Sequence, residues 1–214
     1  MNTRSTQKTN VNKKFSPGHY GFVLKPDSKI REKVEKIQQE FCPNVEFKAG
    51  ADGDIHLTLY HAPISTVSKP KIDKIIKTVE ATGILDERLQ LRELEIYGET
   101  FLFWSVSTIP EVLTEAHKKA LNLANFLQKE ASESKENLAG LSEKEQENIK
   151  KYNHPLVKDL YKPHITIAYN STGIEVESKK IENFSHSASI DIEEISFARI
   201  GDNGRVEENL LTIS

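Results

Sequence analysis

Two short alternating stretches place the tightest constraint on the fold of this chain of 214 residues. Residues 54–60 (DIHLTLY) and 161–169 (YKPHITIAY) both alternate apolar residues with a histidine and a threonine, which is typical of half-buried strands. Successive strand side chains point to opposite faces, so the histidine and threonine of each stretch share one face. The pattern therefore predicts two strands that each present an imidazole and a hydroxyl to a common surface.

The four polar side chains on this predicted surface are His56, Thr58, His164 and Thr166. One such motif, with apolar residues at both intervening positions, is expected by chance roughly 0.06 times in a chain of this composition, so a pair is a specific signal. Imidazole suits both general acid and general base catalysis because its ordinary pKa lies near neutral pH. Threonine hydroxyls can donate hydrogen bonds to phosphoryl oxygens. A lone histidine of this kind would be interpreted as structural, but the matched pair favours catalysis on a phosphate.

The paired motifs, with Pro163 before the second, resemble the 2H phosphoesterase superfamily, which includes RNA 2',3'-cyclic phosphodiesterases, also called 2'-5' RNA ligases. The resemblance implies an α+β bilobal fold, with two βαβ-rich lobes and mainly antiparallel sheets around a central cleft. It also implies metal-independent hydrolysis of an RNA-like or cyclic nucleotide phosphodiester, 2',3'-cyclic phosphate favoured, with the two histidines as acid and base. The alternatives are a 2'-5' oligoadenylate or cyclic oligonucleotide phosphodiesterase, and a non-catalytic nucleotide- or RNA-binding module.

The rest of the chain is predicted to form a single bilobal domain over residues 17–214, preceded by a disordered polar tail at 1–16. The polar run at about 131–151 is predicted to be a solvent-exposed insertion, loop or partly helical. The order of strands, helices and hairpins nearly repeats itself, which indicates two related lobes. Predicted helices span 29–41, 69–82, 110–130 and 175–181, and further strands span 18–25, 45–47, 88–97, 100–107, 188–200 and 205–213.

Composition limits the cellular setting and the partners. A single cysteine, Cys42, forbids an intramolecular disulfide, and no apolar run approaches the roughly 18 residues of a membrane helix, so a cytoplasmic monomer is expected. The net charge of −3 gives no general attraction to nucleic acid, so RNA ends, oligonucleotides or cyclic nucleotides would need a local site. No His, Cys or carboxylate spacing matches a metal site, and neither a metal nor another cofactor is expected.

Three residues are candidates for holding the substrate. Tyr60 has the strand parity of His56 and is the first candidate for stacking on a base, whereas His61 is placed on the opposite face. Trp104, in the predicted strand at 100–107, is the second, with ordinary core packing as its alternative. Lys162 has the parity of His164 and could reach a phosphate.

Overall fold

A computed structural model describes residues 14–127, 141–176 and 178–214. Its helices are α1 Ile30–Phe41, α2 Lys69–Glu80, α3 Glu111–Leu127, α4 Glu143–Tyr152 and α5 Ser178–Glu182. Its strands are β1 Lys14–Phe15, β2 Gly18–Pro26, β3 Phe47–Lys48, β4 Leu57–Ile64, β5 Val67–Ser68, β6 Arg88–Tyr97, β7 Phe101–Val106, β8 His164–Tyr169, β9 Ala188–Ile200 and β10 Val206–Ile213. The strands predicted at 88–97 and 188–200 begin and end as expected. The end of the third predicted helix, 128–130, lies outside the described residues.

The strands pair antiparallel throughout the described residues, which confirms the predicted α+β class. Seven of them follow the order β10-β9-β2-β4-β8-β7-β6, and β3 pairs with the β8 strand. The two halves of this sheet meet at β4 and β8, where the register joins Leu57 to Ile165. They meet again where the first residues of β9 pair with β6. The two motif strands are therefore neighbours at the junction of the two lobes.

The helices cover the apolar face of the sheet. Helix α1 carries a stripe of apolar residues at helical spacing, and the buried members of this stripe are Ile30, Val34, Ile37 and Phe41. Helix α1 packs against β8, α3 packs against β4, and α2 packs against α3 and β9. Leu57 and Ile165, which follow the two motif histidines, are fully buried on this side. The opposite faces of β4 and β8 are thereby left to the polar motif residues.

The predicted disordered tail extends too far along the chain. Lys14 and Phe15 form β1, which pairs with β5. Phe15 is 5% exposed and makes an edge-to-face contact with Phe197, with ring centroids 5.4 Å apart. The aromatic side chain anchors this segment in the core, so residues 14–16 belong to the domain. The rest of the predicted tail, residues 1–13, lies outside the described residues.

The predicted exposed insertion is also corrected in its second half. Residues 143–152 form α4, and its Asn148, Ile149 and Tyr152 side chains are buried. The helix begins with a capping box, in which Ser142 and Glu145 exchange side-chain and backbone hydrogen bonds. Ser-x-x-Glu is a readable start signal, but the few apolar residues that follow conceal the helix. Residues 131–140 lie outside the described residues, and no described helix is long and apolar enough to cross a membrane.

Candidate active site

The four motif side chains line one cavity of about 530 Å³ beside the junction of β4 and β8. His56 immediately precedes β4, and His164 is the first residue of β8. All four side chains are half-buried, so they are accessible from the cavity while the strands hold their backbones. The structure therefore brings together the two motifs that lie far apart in the sequence.

The two histidines are oriented by hydrogen bonds of the same type. His56 Nδ1 lies 2.8 Å from the carbonyl oxygen of Asp54, and His164 Nδ1 lies 2.7 Å from that of Lys162. A carbonyl oxygen can only accept, so Nδ1 carries the proton in both rings. Each neutral imidazole then has an unprotonated Nε2 that can accept a proton, and each protonated one has an Nε2–H that can donate it.

The charges beside the two imidazoles differ. Burial and, less strongly, the charge of Lys25 lower the pKa of His56, while the Asp54 carboxylate and hydrogen bonds to the backbone of Asp54 and Gly204 act to raise it. The pKa of His164 is lowered to about 4, mainly by burial and also by the charges of His56 and Lys162, against the hydrogen bond to the Lys162 backbone. The Asp54 carboxylate is held by Lys25, with an Nζ–Oδ2 distance of 3.2 Å. His56 thus has an acidic neighbour and His164 a basic one.

The two threonine hydroxyls are placed to meet a ligand. Thr58 and Thr166 each follow their histidine by two residues on the cavity side of the strand. Neither hydroxyl hydrogen-bonds to any other residue of the described ranges, although both line the cavity. Two hydroxyls beside two imidazoles could donate hydrogen bonds to the non-bridging oxygens of a phosphoryl group.

A β-bulge in β4 buries the side chain of Tyr60, although the residue still lines the cavity. The pairing with β2 passes from Phe22 opposite Tyr60 to Val23 opposite Thr58, so Leu59 is an extra residue. The inward and outward alternation reverses there, and Leu59 and Tyr60 are both buried. The Tyr60 side chain is 2% exposed and its hydroxyl donates to the Tyr152 carbonyl at 2.6 Å, so it is not free to stack on a base.

His61 takes the position on the cavity side that strict alternation would have given to Tyr60. Because of the bulge at Leu59, it lines the cavity with His56 and Thr58 instead of lying on the opposite face. Strand β8 has the matching irregularity, since its pairing with β7 passes from Ala168 to Thr166 and skips Ile167. The two motif strands therefore repeat the bulge as well as the His-x-Thr sequence.

The structure places Trp104 in the core and its neighbour Phe103 at the site. Trp104 is fully buried, which corrects its assignment as a stacking residue, and its Nε1–H has no hydrogen-bond acceptor among the described residues. Phe103 lies on the opposite face and forms an aromatic wall of the cavity with Tyr97 and Phe101. Alternation along β7 separates the two faces, but the sequence gives no indication of which face meets the motif strands.

Lys162 lines the cavity, as its parity predicts, and forms an ion pair with Glu95 of β6. Its side chain is 41% exposed, so the ammonium group stays in contact with solvent. The pair holds the lysine on the same side as the aromatic wall. Contact with a substrate phosphate remains a prediction.

No family model and no curated protein matches the sequence. Solved structures do match. E. coli LigT complexed with phosphate is 15% identical over 93% of this chain and 98% of that chain, with a TM-score of 0.54. A structure described as a phosphoesterase is 17% identical over 92% and 98%, with a TM-score of 0.55. The chain has the fold of LigT. The fold that the resemblance of the two motifs implied is therefore confirmed.

In this LigT-like fold, the cavity has a second polar wall that the sequence did not indicate. His19, His61 and His154 line it together with the turn after β9. Within the described ranges, no group of three or more histidine, cysteine or acidic residues has a geometry that could hold a metal ion.

Proposed function

We propose that this protein is a phosphodiesterase that hydrolyses an RNA-like or cyclic nucleotide phosphodiester, with 2',3'-cyclic phosphate ends favoured. The observation that carries the proposal is the matched anchoring of His56 and His164, whose Nδ1 atoms both bond to the carbonyl two residues earlier. Two Nε2 atoms presented in this way can supply the acid and the base of one displacement. A protein side chain is then available for each of the two proton transfers, and a metal-bound water is not required.

The neighbouring charges favour one division of roles. His164, with Lys162 beside it and a pKa of about 4, is the base that takes a proton from the attacking water. His56, with the Asp54 carboxylate beside it, is the acid that protonates the departing ribose oxygen. One P–O bond forms to the water oxygen while the bond to the departing oxygen breaks. The Thr58 and Thr166 hydroxyls stabilise the non-bridging oxygens during this step.

The aromatic wall supports a nucleotide as the substrate. Phe103 is stacked both on Tyr97, with ring centroids 5.3 Å apart, and on His164, and Phe101 lies beside it at a tilt of 39°, so a group of aromatic rings borders the phosphate site. Aromatic side chains bind single-stranded bases by stacking. Structures of LigT complexed with 3'-AMP and with NADP+ also support nucleotide binding in this fold.

The test is turnover of a panel of phosphodiesters in the presence of EDTA. The panel contains 2',3'-cyclic mononucleotides, RNA oligonucleotides with a 2',3'-cyclic end, 2'-5' oligoadenylates and cyclic dinucleotides. Hydrolysis of the cyclic-phosphate substrates despite the chelator supports the proposal. Preferred turnover of 2'-5' or cyclic oligonucleotides would select the alternative enzyme. Tight binding without turnover would identify a binding module, and activity lost in EDTA and restored by a divalent ion would exclude the metal-free mechanism.

A further inference from the structure

Three imidazoles from separate parts of the chain form a cluster on the cavity wall beside His56. His19 Nε2 lies 2.7 Å from His61 Nδ1, and the two rings are stacked with centroids 4.9 Å apart. The His154 ring meets the His61 ring edge-on at 4.3 Å. We call His19, His61 and His154 the imidazole wall. All three lie at the cavity, and none belongs to the two motifs.

The hydrogen bonds of the imidazole wall determine what it can offer to a ligand. His154 Nδ1 accepts from the Leu156 backbone N–H at 3.1 Å, so the neutral ring carries its proton on Nε2. That Nε2–H has no acceptor among the described residues. The bond between His19 and His61 can run in either direction, and His61 Nε2 is an acceptor in one case and a donor in the other. The wall can therefore pair with both donors and acceptors.

A glycine packed against His61 makes room for this arrangement. Gly21 lies within β2, where glycine normally weakens a strand. A Cβ at this position would lie 2.9 Å from His61 Cβ and 3.1 Å from Ile200 Cγ1. Any other residue at position 21 would displace His61 or the neighbouring hairpin, so the absence of a side chain keeps the imidazole in its place.

The imidazole wall is neutral and suits an uncharged polar group. Burial lowers the pKa of all three histidines, that of His154 to about 3, and that of His61 is lowered further by its histidine neighbours. Among the described residues that line the cavity, Lys162 is the one lysine or arginine, and it lies with the aromatic wall. A phosphate would find no cation at the imidazole wall. A base edge or a ribose hydroxyl would find donors and acceptors.

The strand order places the two walls on either side of the motifs. Along β2-β4-β8-β7-β6, His19 and His61 of the imidazole wall lie on β2 and β4, the motifs on β4 and β8, and the aromatic wall on β7 and β6. His154 joins the imidazole wall from the loop after α4. We infer that the imidazole wall binds a second nucleoside, so that the substrate is an oligonucleotide end of two or more units and not a free mononucleotide. This inference rests on the proposed function and specifies its substrate class.

The experiment compares adenosine 2',3'-cyclic phosphate with the dinucleotide ApA that ends in a 2',3'-cyclic phosphate. The scissile group is the same in both, and only the second nucleoside differs. His61→Asn and His154→Asn keep a polar atom near the Nδ1 position but lose Nε2. His186→Asn is the matched control, because His186 is exposed and does not line the cavity. Circular dichroism and thermal unfolding establish that each variant is folded.

The parent protein is expected to prefer the dinucleotide in kcat/KM by about tenfold or more. Each wall variant should lose about 3- to 10-fold on the dinucleotide, the usual effect of one hydrogen bond, and change little on the mononucleotide. Equal kcat/KM for the two substrates, or equal losses on both, would overturn the second nucleoside site while the proposed function stands.

If neither substrate is hydrolysed, the proposed function fails, and calorimetric binding of the two product nucleotides decides the inference separately. Tighter binding of the dinucleotide product by the parent than by the wall variants would support the site. Equal binding of the mononucleotide and dinucleotide products would overturn it.

Discussion

The ring of Phe103 lies flat against the imidazole of His164, with centroids 3.6 Å apart and planes 18° apart. This contact covers one face of the proposed base and contributes to the burial that lowers its pKa. It also fixes the plane of the ring, which the Nδ1 bond to the Lys162 carbonyl leaves free to tilt. The aromatic wall therefore contacts the proposed catalytic histidine, in addition to the nucleobase that it is proposed to bind.

Replacing Phe103 tests this relationship, and the adjacent Trp104 provides the control. Phe103→Leu should lower kcat/KM about tenfold and raise the pKa of His164 towards 6.5, because the ring face becomes hydrated. Trp104→Phe should destabilise the fold by about 1–3 kcal/mol through a smaller core side chain and leave kcat/KM unchanged. Steady-state kinetics, an NMR titration of His164 and urea unfolding measure the three quantities. Equal kinetic losses in both variants would refute the separation of the two faces.

The two proposed proton-transfer groups should be individually necessary. His56→Ala and His164→Ala are each expected to lower turnover by roughly 10²–10⁴, the usual scale of general acid–base catalysis. Stability should change little, because both side chains face a cavity and not the core. Initial rates on the best substrate of the panel give the comparison, with circular dichroism as the check of folding. Near-parent turnover by either folded variant would remove that histidine from the mechanism.

The pH dependence follows from the direction of the two pKa shifts. The productive free enzyme has His164 neutral, which holds above about pH 4, and His56 protonated, which holds below a pKa that is itself under 6.5. The kcat/KM profile should therefore be a bell with its optimum on the acidic side of 6.5. The two apparent values belong to the coupled pair. EDTA should leave the curve in place; a single limb or an optimum well above neutrality would contradict the assignment.

The two threonines should stabilise a phosphoryl group and not the strands. Thr58→Val and Thr166→Val keep the β-branched shape and remove only the hydroxyl, so the fold should survive. Each is expected to lower kcat by about 10- to 100-fold if the lost donor acts mainly in the transition state. Comparing kcat with KM separates this from weaker ground-state binding. Parent rates in both variants would make the threonines structural.

The sequence predicted the features that depend on the alternation of residues along a single strand. It did not predict the side-chain positions that depend on how neighbouring strands pair. The strand containing His164 and Thr166 follows from apolar and polar residues at period two, and the structure shows it. The same period predicted that the Tyr60 side chain would be open to the cavity. It is buried instead, because the extra residue at Leu59 exists only in the register with β2. The clustering of His19 with His61 is likewise set by pairing between strands, and it has no signal in a linear pattern.

One buried histidine outside the cavity holds this bulge in place. His117 Nδ1 donates to the carbonyl of Leu59 at 2.6 Å, and its Nε2 accepts from the Lys158 backbone N–H at 3.0 Å. The ring is also stacked on Tyr161 with centroids 3.9 Å apart. The ring can make both of these hydrogen bonds only while it is neutral. Protonation of Nε2 would remove the acceptor and place a charge in the core.

This residue should make the fold sensitive to acid. Burial lowers the folded pKa of His117 to about 4, below the unfolded value near 6.5, so the unfolded state binds more protons between these limits. The contribution of the neutral His117 to the free energy of unfolding is fully present above pH 6.5. It is lost as the pH drops towards 4, which lowers the free energy of unfolding by about 3 kcal/mol from this group alone. Urea unfolding at pH 7, 5.5 and 4.5 measures the loss. His154 and His164 add to it, because burial lowers their pKa values as well.

His117→Phe isolates this contribution, because phenylalanine keeps the stacking on Tyr161 but cannot titrate. The variant should be less stable at pH 7 by about 1–3 kcal/mol, since the Leu59 carbonyl and the Lys158 N–H lose their partner. Its loss of stability between pH 7 and 4.5 should nevertheless be smaller than that of the parent. His186→Phe, at an exposed position, should keep the parent's pH dependence. If His117→Phe loses as much stability on acidification as the parent, the acid sensitivity arises from the other histidines.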